Sequence, residues 1–339
     1  MTLAYRWNGV LRAALCVAVI SSWAPLRAGA RAADTPGAIQ MAQRQFNQGN
    51  YAGAISTLQP AVSQSPPSAE AFYWLGRSYY ELRDFDNAVA SAERSVALDP
   101  KNSVYHQWLG RAYGEKADID RSFSLARKVK KEFQAAAGLN PSNIAARRDL
   151  EEYCLDAPWI AGGSKDEALQ QVNAIAAVDP VEGHLARALY DREGLKNNEQ
   201  AESEYRQVLS AQTKNLDAYF EVADFFAAQN RPADMETAIQ AAAQVSASDP
   251  RIAFYRGVED VLAKQNLPGA EQSLKSYLAS TPERSDWPAH ASARIWLGRL
   301  YEAQGKRAEA AEQYRAALQL EPRRKDARAS LEKLEKGSQ

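Results

Sequence analysis

The phrase Trp74-Leu75-Gly76-Arg77-Ser78-Tyr79 decides the fold, because it recurs at two other places in the chain with only its fifth residue changed. Trp108-Leu109-Gly110-Arg111-Ala112-Tyr113 repeats it 34 residues later, and Trp296-Leu297-Gly298-Arg299-Leu300-Tyr301 repeats it near the C-terminus. Self-similarity at a fixed period of this length is typical of helical repeat arrays. Apolar residues at helical spacing favour helices over strands. We therefore expect each phrase to lie in the first helix of a helical hairpin.

The second helix of each hairpin has its own pattern of small residues and a closing proline. After Gly76 and after Gly298 the steps are 12, 19 and 24 residues, which gives Ala88, Ser95 and Pro100, and then Ala310, Ala317 and Pro322. A small residue at a helix crossing lets two helices approach closely. The combined pattern resembles the tetratricopeptide-repeat family. The resemblance implies an all-α, right-handed superhelical solenoid of paired antiparallel helices.

The spacing of the prolines sets the expected number of hairpins. Prolines that we expect to end helices stand at positions 66, 100, 141, 180, 250, 282 and 322. They predict about eight hairpins over residues 35–322 and a polar capping helix within 323–339, as a solenoid end requires. The copies at 35–66, 69–100, 103–141 and 291–322 keep the pattern, whereas those at 144–282 are degenerate. Surplus residues fall within 113–133, 158–165 and 283–288.

The N-terminus differs from the rest of the chain. The first 30 residues hold three arginines and no acidic residue, followed by a short apolar run over 13–20 and small residues around Ala30 and Ala32. These features predict a secretory signal peptide over residues 1–32, cleaved after Ala30 or Ala32. We therefore expect export by the general secretion route to the periplasm or the cell exterior. Retention of this segment as a membrane anchor stays open.

The composition argues against a nucleic-acid binder. The chain has 41 basic and 42 acidic residues, 24% charged residues and 45% apolar residues. A nucleic-acid-binding domain would normally carry a marked basic excess. Cleavage of the signal peptide would remove Cys16 and leave Cys154 as a single thiol, which we expect to be a buried small hydrophobic residue.

No motif in the sequence indicates catalysis, a cofactor or a metal site. The stretch Gly162-Gly163-Ser164-Lys165 lacks the spacing of a phosphate-binding loop. Its simpler interpretation is a turn in which Ser164 caps the next helix together with Glu167. His106, His184 and His290 fall in different repeats without metal-ligand spacing. We expect no enzyme activity and no cofactor.

A basic cluster lies in the enlarged third repeat. Arg127, Lys128, Lys130 and Lys131 alternate there with apolar residues of the same helix. Helical spacing places these cations largely on the solvent side. Two interpretations stay open, namely an ordinary solvated face and a patch for anionic lipid or an acidic partner.

The resemblance also names candidate groove residues, because the first helices of the family line its concave surface. Carried over position by position, the groove would contain Glu70, Tyr73, Arg77 and Tyr80, then Val104, Gln107, Arg111 and Gly114, and finally Ser292, Ile295, Arg299 and Glu302. Arg77 and Arg111 occupy the same position in adjacent repeats. Arginine forks suit carboxylates and aromatic rings supply apolar area, so an extended partner segment with acidic groups would fit. Alternatively, the arginines pair with acids such as Glu81 and Glu115.

One departure from the family bears on the partner. Members that bind chaperone tails use lysine and asparagine at set positions, where this chain has Ile39, Gln43, Trp74, Val104 and Trp108. A chaperone co-factor role is therefore disfavoured. We expect a non-enzymatic protein-interaction scaffold of the cell envelope. The alternatives are a structural envelope component that self-associates or attaches through its N-terminus, and a solute-binding or enzymatic module in the degenerate repeats.

Overall fold

The computed structural model describes residues 35–336. The predicted signal peptide and its cleavage site lie outside the described residues. Between residues 35 and 336 every regular element is helical, which confirms the expected all-α class. This part of the chain forms eight consecutive helix pairs and one closing helix. No helix within it is both long and apolar enough to cross a membrane.

The first four pairs cover residues 35–176. They are α1 (Thr35–Asn47) and α2 (Tyr51–Val62), α3 (Ala69–Glu81) and α4 (Phe85–Leu98), α5 (Ser103–Asp120) and α6 (Phe123–Leu139), and α7 (Ile144–Asp156) and α8 (Lys165–Ala176). A 3-10 turn, Trp159–Ala161, lies between α7 and α8.

The last four pairs and the closing helix follow directly. They are α9 (Pro180–Leu189) and α10 (Asn198–Ser210), α11 (Leu216–Ala228) and α12 (Pro232–Val245), α13 (Arg251–Ala263) and α14 (Leu267–Ser280), α15 (His290–Ala303) and α16 (Arg307–Leu320), and α17 (Lys325–Lys336). A π-helical turn, Tyr190–Gly194, extends α9.

The chain divides into two compact units, and the division falls inside α8, after Glu167. Among the described residues of the unit before it, buried apolar side chains form successive clusters with members from Ile39 to Ala161. The unit after it has one continuous core from Leu185 to Leu334. Each core lies where the apolar stripes of neighbouring helices meet, as expected for amphipathic helices.

Polar residues at the helix starts fix where the helices of the first unit begin. At the starts of α2 to α7 a side-chain oxygen accepts a hydrogen bond from a backbone N–H two or three residues further on, which satisfies a donor that the helix itself leaves unpaired. The residues that do this are Asn50, Ser68, Asp84, Asn102, Ser122 and Asn143.

The repeated glycines mark points of close helix approach. A Cβ atom added at Gly110 would lie 2.5 Å from Cε1 of Phe133, and one at Gly298 would lie 2.5 Å from Cε1 of Tyr314. Both aromatic side chains come from the second helix of the same pair and are fully buried. The glycine therefore makes room for an aromatic ring at the crossing.

The surplus residues of the third and fourth pairs lengthen helices and build a turn. Helices α5 and α6 have 18 and 17 residues. In the fourth pair the surplus forms the 3-10 turn. The backbone N–H of Glu167 donates to Oγ of Ser164 at 3.3 Å, so Ser164 caps α8 as expected. The Ser164 N–H donates to the Cys154 carbonyl instead of the Glu167 side chain, so the expected reciprocal bond from Glu167 is not formed.

Two prolines differ from the expectation that they end helices. Pro180 is the first residue of α9, and Pro250 stands immediately before α13. Oδ1 of Asp179 accepts from the backbone N–H of Val181 and of Glu182 at 2.8 and 3.1 Å. Proline is favoured in a first helical turn because its missing N–H would have no partner there. The Asp-Pro pair thus starts a helix here.

Cys154 lies in the core of the first unit, as the sequence predicts. Its side chain is buried, and burial raises the pKa of its thiol to about 12. Because the thiolate is the reactive form, the native thiol is chemically unreactive near neutral pH.

Candidate functional site

Arg77 lies in a cluster of aromatic rings built from three helices of the first unit. Its guanidinium carbon is 4.2 Å from the ring centroid of Trp108, 4.5 Å from that of Phe46, 5.2 Å from that of Trp74 and 5.9 Å from that of Tyr73. All four distances fall within the range in which a cation is attracted to an aromatic face. We call these four rings and the guanidinium the Arg77 cluster.

The guanidinium of Arg77 has donors that the described part of the chain leaves unused. Its Nε is buried and has no hydrogen-bond acceptor among the described residues. Its Nη1 donates a long hydrogen bond of 3.5 Å to the hydroxyl of Tyr73. No carboxylate of residues 35–336 forms an ion pair with it. A buried donor without an acceptor is costly, so an added acceptor would be favourable here.

Arg111 occupies the same repeat position but is fully paired. Its Nε and Nη2 donate to Oδ2 and Oδ1 of Asp149 at 2.7 and 2.9 Å. Nε2 of Gln107 donates to the same carboxylate at 2.8 Å. Arg111 thus follows the alternative in which the arginine pairs with an acid of the chain, and that acid is Asp149 of α7, in an ion pair between neighbouring repeats.

The remaining predicted residues of α3 differ in exposure. Glu70 is exposed, and its Oε1 accepts from Nε2 of Gln43 at 3.3 Å. Tyr73 is half-buried, but Tyr80 is buried, and its hydroxyl donates to Oε1 of Glu115 at 3.3 Å. Burial, followed by the charge of Glu115, raises the pKa of Tyr80 well above its ordinary value. The buried ring of Tyr80 packs against Trp108 of the cluster.

Gln107 and Ile295 are corrections to the expected groove. Gln107 is only 4% exposed because it is hydrogen-bonded to Asp149, and Ile295 is 2% exposed because it packs in the core of the second unit. Neither side chain is available to a ligand. The repeat position that is exposed in the family is closed at both sites by packing from a neighbouring helix.

The last pair shows the same arginine and tryptophan contact in the second unit. The guanidinium carbon of Arg299 lies 4.3 Å from the ring centroid of Trp296. The corresponding distance from Arg111 to Trp108 is 4.8 Å. Residues three apart lie on one face of a helix, so the Trp-Leu-Gly-Arg phrase creates this contact each time. Glu302 accepts a hydrogen bond from the hydroxyl of Tyr314.

Two participants in the first unit were missed by sequence reasoning. Phe46 belongs to α1, outside the Trp-Leu-Gly-Arg phrase, and Asp149 belongs to a degenerate copy. The signal available for Phe46 is its place on the apolar stripe of α1. No signal in the sequence pairs Asp149 with Arg111, since the two stand 38 residues apart.

The histidines form separate local contacts. Nδ1 of His106 lies 2.6 Å from Oε2 of Glu132, and Nδ1 of His184 lies 2.6 Å from Oε2 of Glu204. His290 contacts Glu283 at 3.1 Å. Among residues 35–336 no group of three or more His, Cys, Asp or Glu side chains has the geometry to hold a metal ion.

The degenerate repeats contain tightly packed helices. Their aromatic core includes Tyr205, Phe225 and Phe226, each at most 1% exposed, and it belongs to the single cluster that continues to α17. The degenerate copies after Leu185 therefore share one hydrophobic core with the last repeat.

Family models match both ends of the described chain. Models described as tetratricopeptide repeat match residues 39–103 and 291–324. No curated protein sequence matches the chain.

Solved structures with similar folds extend the comparison. A tetratricopeptide repeat protein from Parabacteroides merdae ATCC 43184 is 15% identical, with a TM-score of 0.51 over 88% of this chain and 98% of that one. MamA from Desulfovibrio magneticus RS-1 is 14% identical, with a TM-score of 0.41 over 53% of this chain and 96% of that one. The APC/C hetero-tetramer Cut9-Hcn1 contains a chain 12% identical, with a TM-score of 0.47 over 88% of this chain and 55% of that one. At these identities the first likeness supports the fold alone.

Proposed function

We propose that this chain, which belongs to the tetratricopeptide-repeat family, is a non-enzymatic scaffold of the cell envelope that holds an acidic segment of a partner protein at the Arg77 cluster. Repeat arrays of stacked helix pairs use extended surfaces to bind other proteins. The repeat fold supports the general scaffold role. The partner segment and the envelope location are the specific parts of the proposal.

The unpaired state of Arg77 is the observation that carries the proposal. Arg77 and Arg111 share a repeat position, yet Asp149 occupies the hydrogen-bonding edge of Arg111 while no described carboxylate occupies that of Arg77. The guanidinium of Arg111 is thus paired within the chain, whereas that of Arg77 keeps N–H groups that no described carboxylate accepts. A ligand carboxylate would complete Arg77 as Asp149 completes Arg111.

The surrounding rings define what else the ligand should contain. Tyr73, Trp74 and Trp108 are half-buried, so each presents part of an aromatic face beside the guanidinium. Aromatic and arginine side chains in partly desolvated positions commonly dominate protein interfaces. We therefore expect an extended peptide with an aspartate, a glutamate or a terminal carboxylate next to an apolar side chain.

The predicted signal peptide supports the envelope as the place of action. Residues 1–32 have the basic start, the short apolar run and the small residues of a secretory signal. A partner would accordingly be sought among envelope proteins.

The test compares two arginine variants of the full chain. Arg77→Gln removes the unpaired guanidinium, and Arg94→Gln serves as the matched control because Arg94 is exposed on α4 and lies 5.6 Å from the Phe72 ring. Tagged wild-type and variant chains are used to capture partners from an envelope extract, and melting temperatures are measured in parallel. Partners lost with Arg77→Gln and kept with Arg94→Gln support the proposal. Equal capture by all three chains would place recognition elsewhere.

A further inference from the structure

Trp159 is displayed to solvent at the turn between α7 and α8. Its side chain is 85% exposed, whereas no other large apolar side chain among residues 35–336 exceeds 51%. The next residue, Ile160, is 46% exposed. Single exposed apolar residues are common on protein surfaces, but an almost fully exposed tryptophan beside an exposed isoleucine is a large apolar area in water.

The turn that carries Trp159 is held in one conformation by the chain around it. Ala161 is 1% exposed and packs with Ala126 of α6. Hydrogen bonds stabilise the turn. Two join backbone groups, from Gly163 N to Pro158 O at 3.1 Å and from Ser164 N to Cys154 O at 2.8 Å. Two come from side chains, from Lys130 Nζ to Gly162 O at 2.7 Å and from the Tyr153 hydroxyl to Ala161 O at 2.7 Å. Trp159 therefore projects from a fixed support.

Two exposed cations of α6 stand next in sequence to residues that contact this turn. Arg127 and Lys131 are exposed and follow Ala126 and Lys130, the two α6 residues that contact the turn. Neither forms an ion pair with any residue of 35–336. We call Trp159, Ile160, Arg127 and Lys131 the α6–turn face.

Two of the acidic residues near these cations have side-chain partners of their own. Glu132 lies 2.6 Å from Nδ1 of His106, and Glu167 lies 2.6 Å from Nζ of Lys130. Lys165 and Asp166, both exposed at the start of α8, offset each other. The α6–turn face consequently combines apolar side chains with a net positive charge.

We infer that the α6–turn face docks on an anionic lipid bilayer. Tryptophan favours the membrane interface, where its ring leaves water while its N–H stays hydrated. Lysine and arginine beside it are attracted to anionic headgroups. Trp159 and Ile160 match the apolar layer of such a bilayer, and the cations of the α6–turn face match its anionic headgroups. This charge complementarity favours lipid over a protein occupant.

The inference is independent of the Arg77 cluster and is tested with vesicles. The full chain is sedimented with vesicles of phosphatidylglycerol and phosphatidylcholine, or of phosphatidylcholine alone. The double variant Trp159→Ser/Ile160→Ser removes the apolar part, and Arg127→Gln/Lys131→Gln removes the charge. Val178→Ser/Leu195→Ser is the matched control, because it removes two apolar side chains that are 45% and 50% exposed in the second unit.

The expected results separate lipid binding by this face from other causes. Wild type binds anionic vesicles, and either double variant at the α6–turn face lowers the partition coefficient about tenfold, while the control variant and Arg77→Gln bind like wild type. Every chain retains residues 1–34, so a difference between chains reports the face itself. Equal binding by wild type and the Trp159→Ser/Ile160→Ser variant would overturn the inference, as would binding to neutral vesicles of equal strength or no binding at all. Since the side chains exchanged in the three double variants are exposed, unchanged helicity and melting are expected for these variants and are measured as a check.

Discussion

Arg111 and Asp149 form a bidentate ion pair that joins α5 to α7, with nitrogen–oxygen distances of 2.7 and 2.9 Å. Gln107 adds a third hydrogen bond to the same carboxylate, and Nδ2 of Asn143 lies 3.4 Å from Oε1 of Gln107. The network connects equivalent helices of two adjacent repeats. In a repeat array such interfaces between neighbours supply much of the stability.

Neutralising this carboxylate should destabilise the first unit. Asp149→Asn removes the charge while keeping the size, and it leaves the guanidinium of Arg111 without its anion. Breaking a largely buried pair from one side is costly, so we expect the free energy of unfolding to fall by about 2–3 kcal/mol. Urea denaturation followed by circular dichroism measures the change.

The matched control is an exposed ion pair in the last repeat. Arg315 and Glu335 lie 3.0 Å apart, and both side chains are 57% exposed. Glu335→Gln should change the free energy of unfolding by less than about 0.5 kcal/mol, because exposed pairs contribute little. Equal losses in Asp149→Asn and Glu335→Gln would mean that the network between α5 and α7 has no special role.

Adding one methyl group at a helix crossing should also be costly. In Gly110→Ala the new Cβ would lie 2.5 Å from the ring of Phe133, which is buried and cannot move freely. We expect a loss of about 1–3 kcal/mol from overpacking. Gly138→Ala is the control, since a Cβ there meets nothing within 4 Å, and alanine should stabilise the helix by up to about 1 kcal/mol. Thermal melting of both variants should therefore shift in opposite directions, and a shared direction would contradict the crossing geometry.

The His106 and Glu132 pair should give the fold a pH dependence. The hydrogen bond that His106 donates to the Glu132 carboxylate raises the pKa of His106, and the one to the Pro100 carbonyl adds to it, whereas burial and Lys131 oppose it. A raised folded-state pKa contributes stability that is complete below the unfolded pKa of about 6.5 and is lost as pH rises through the folded pKa.

The measurement compares wild type with His106→Gln at several pH values. The difference in their free energies of unfolding should be larger at pH 5.5 than at pH 8.5. A difference that stays constant, or that grows with rising pH, would show that Glu132 does not stabilise the charged imidazole.

Much of the fold follows from the Trp-Leu-Gly-Arg phrase and its spacing. The phrase predicts a helix, a glycine at a crossing and an arginine on one face, and all three features are present at Gly110 and Arg111. These are local or strictly periodic properties, so they can be read from the sequence. The burial of Cys154 and the cap at Ser164 were predictable for the same reason.

The difference between Arg77 and Arg111 could not be read from the sequence. The two residues occupy identical repeat positions, but Phe46 and Trp108 from neighbouring repeats lie against Arg77, whereas Asp149 from a neighbouring repeat pairs with Arg111. The burial of Ile295 likewise depends on a neighbouring helix. Degenerate repeats have lost the sequence pattern, so the contacts that they make with other repeats leave no periodic signal. The sequence therefore predicted which positions face the groove, but not which of their side chains remain accessible.

The most direct test of the account is the affinity of a captured partner segment for wild type, Arg77→Gln and Arg94→Gln, measured by titration calorimetry at two salt concentrations. Losing a charge-assisted hydrogen bond of about 1.5–3 kcal/mol should weaken binding to Arg77→Gln by tenfold or more and reduce its salt dependence. Arg94→Gln should bind like wild type, and urea denaturation of each chain checks that it is folded under the conditions of the titration. Unchanged affinity and salt dependence in a folded Arg77→Gln chain would contradict the claim that the unpaired arginine recognises the partner.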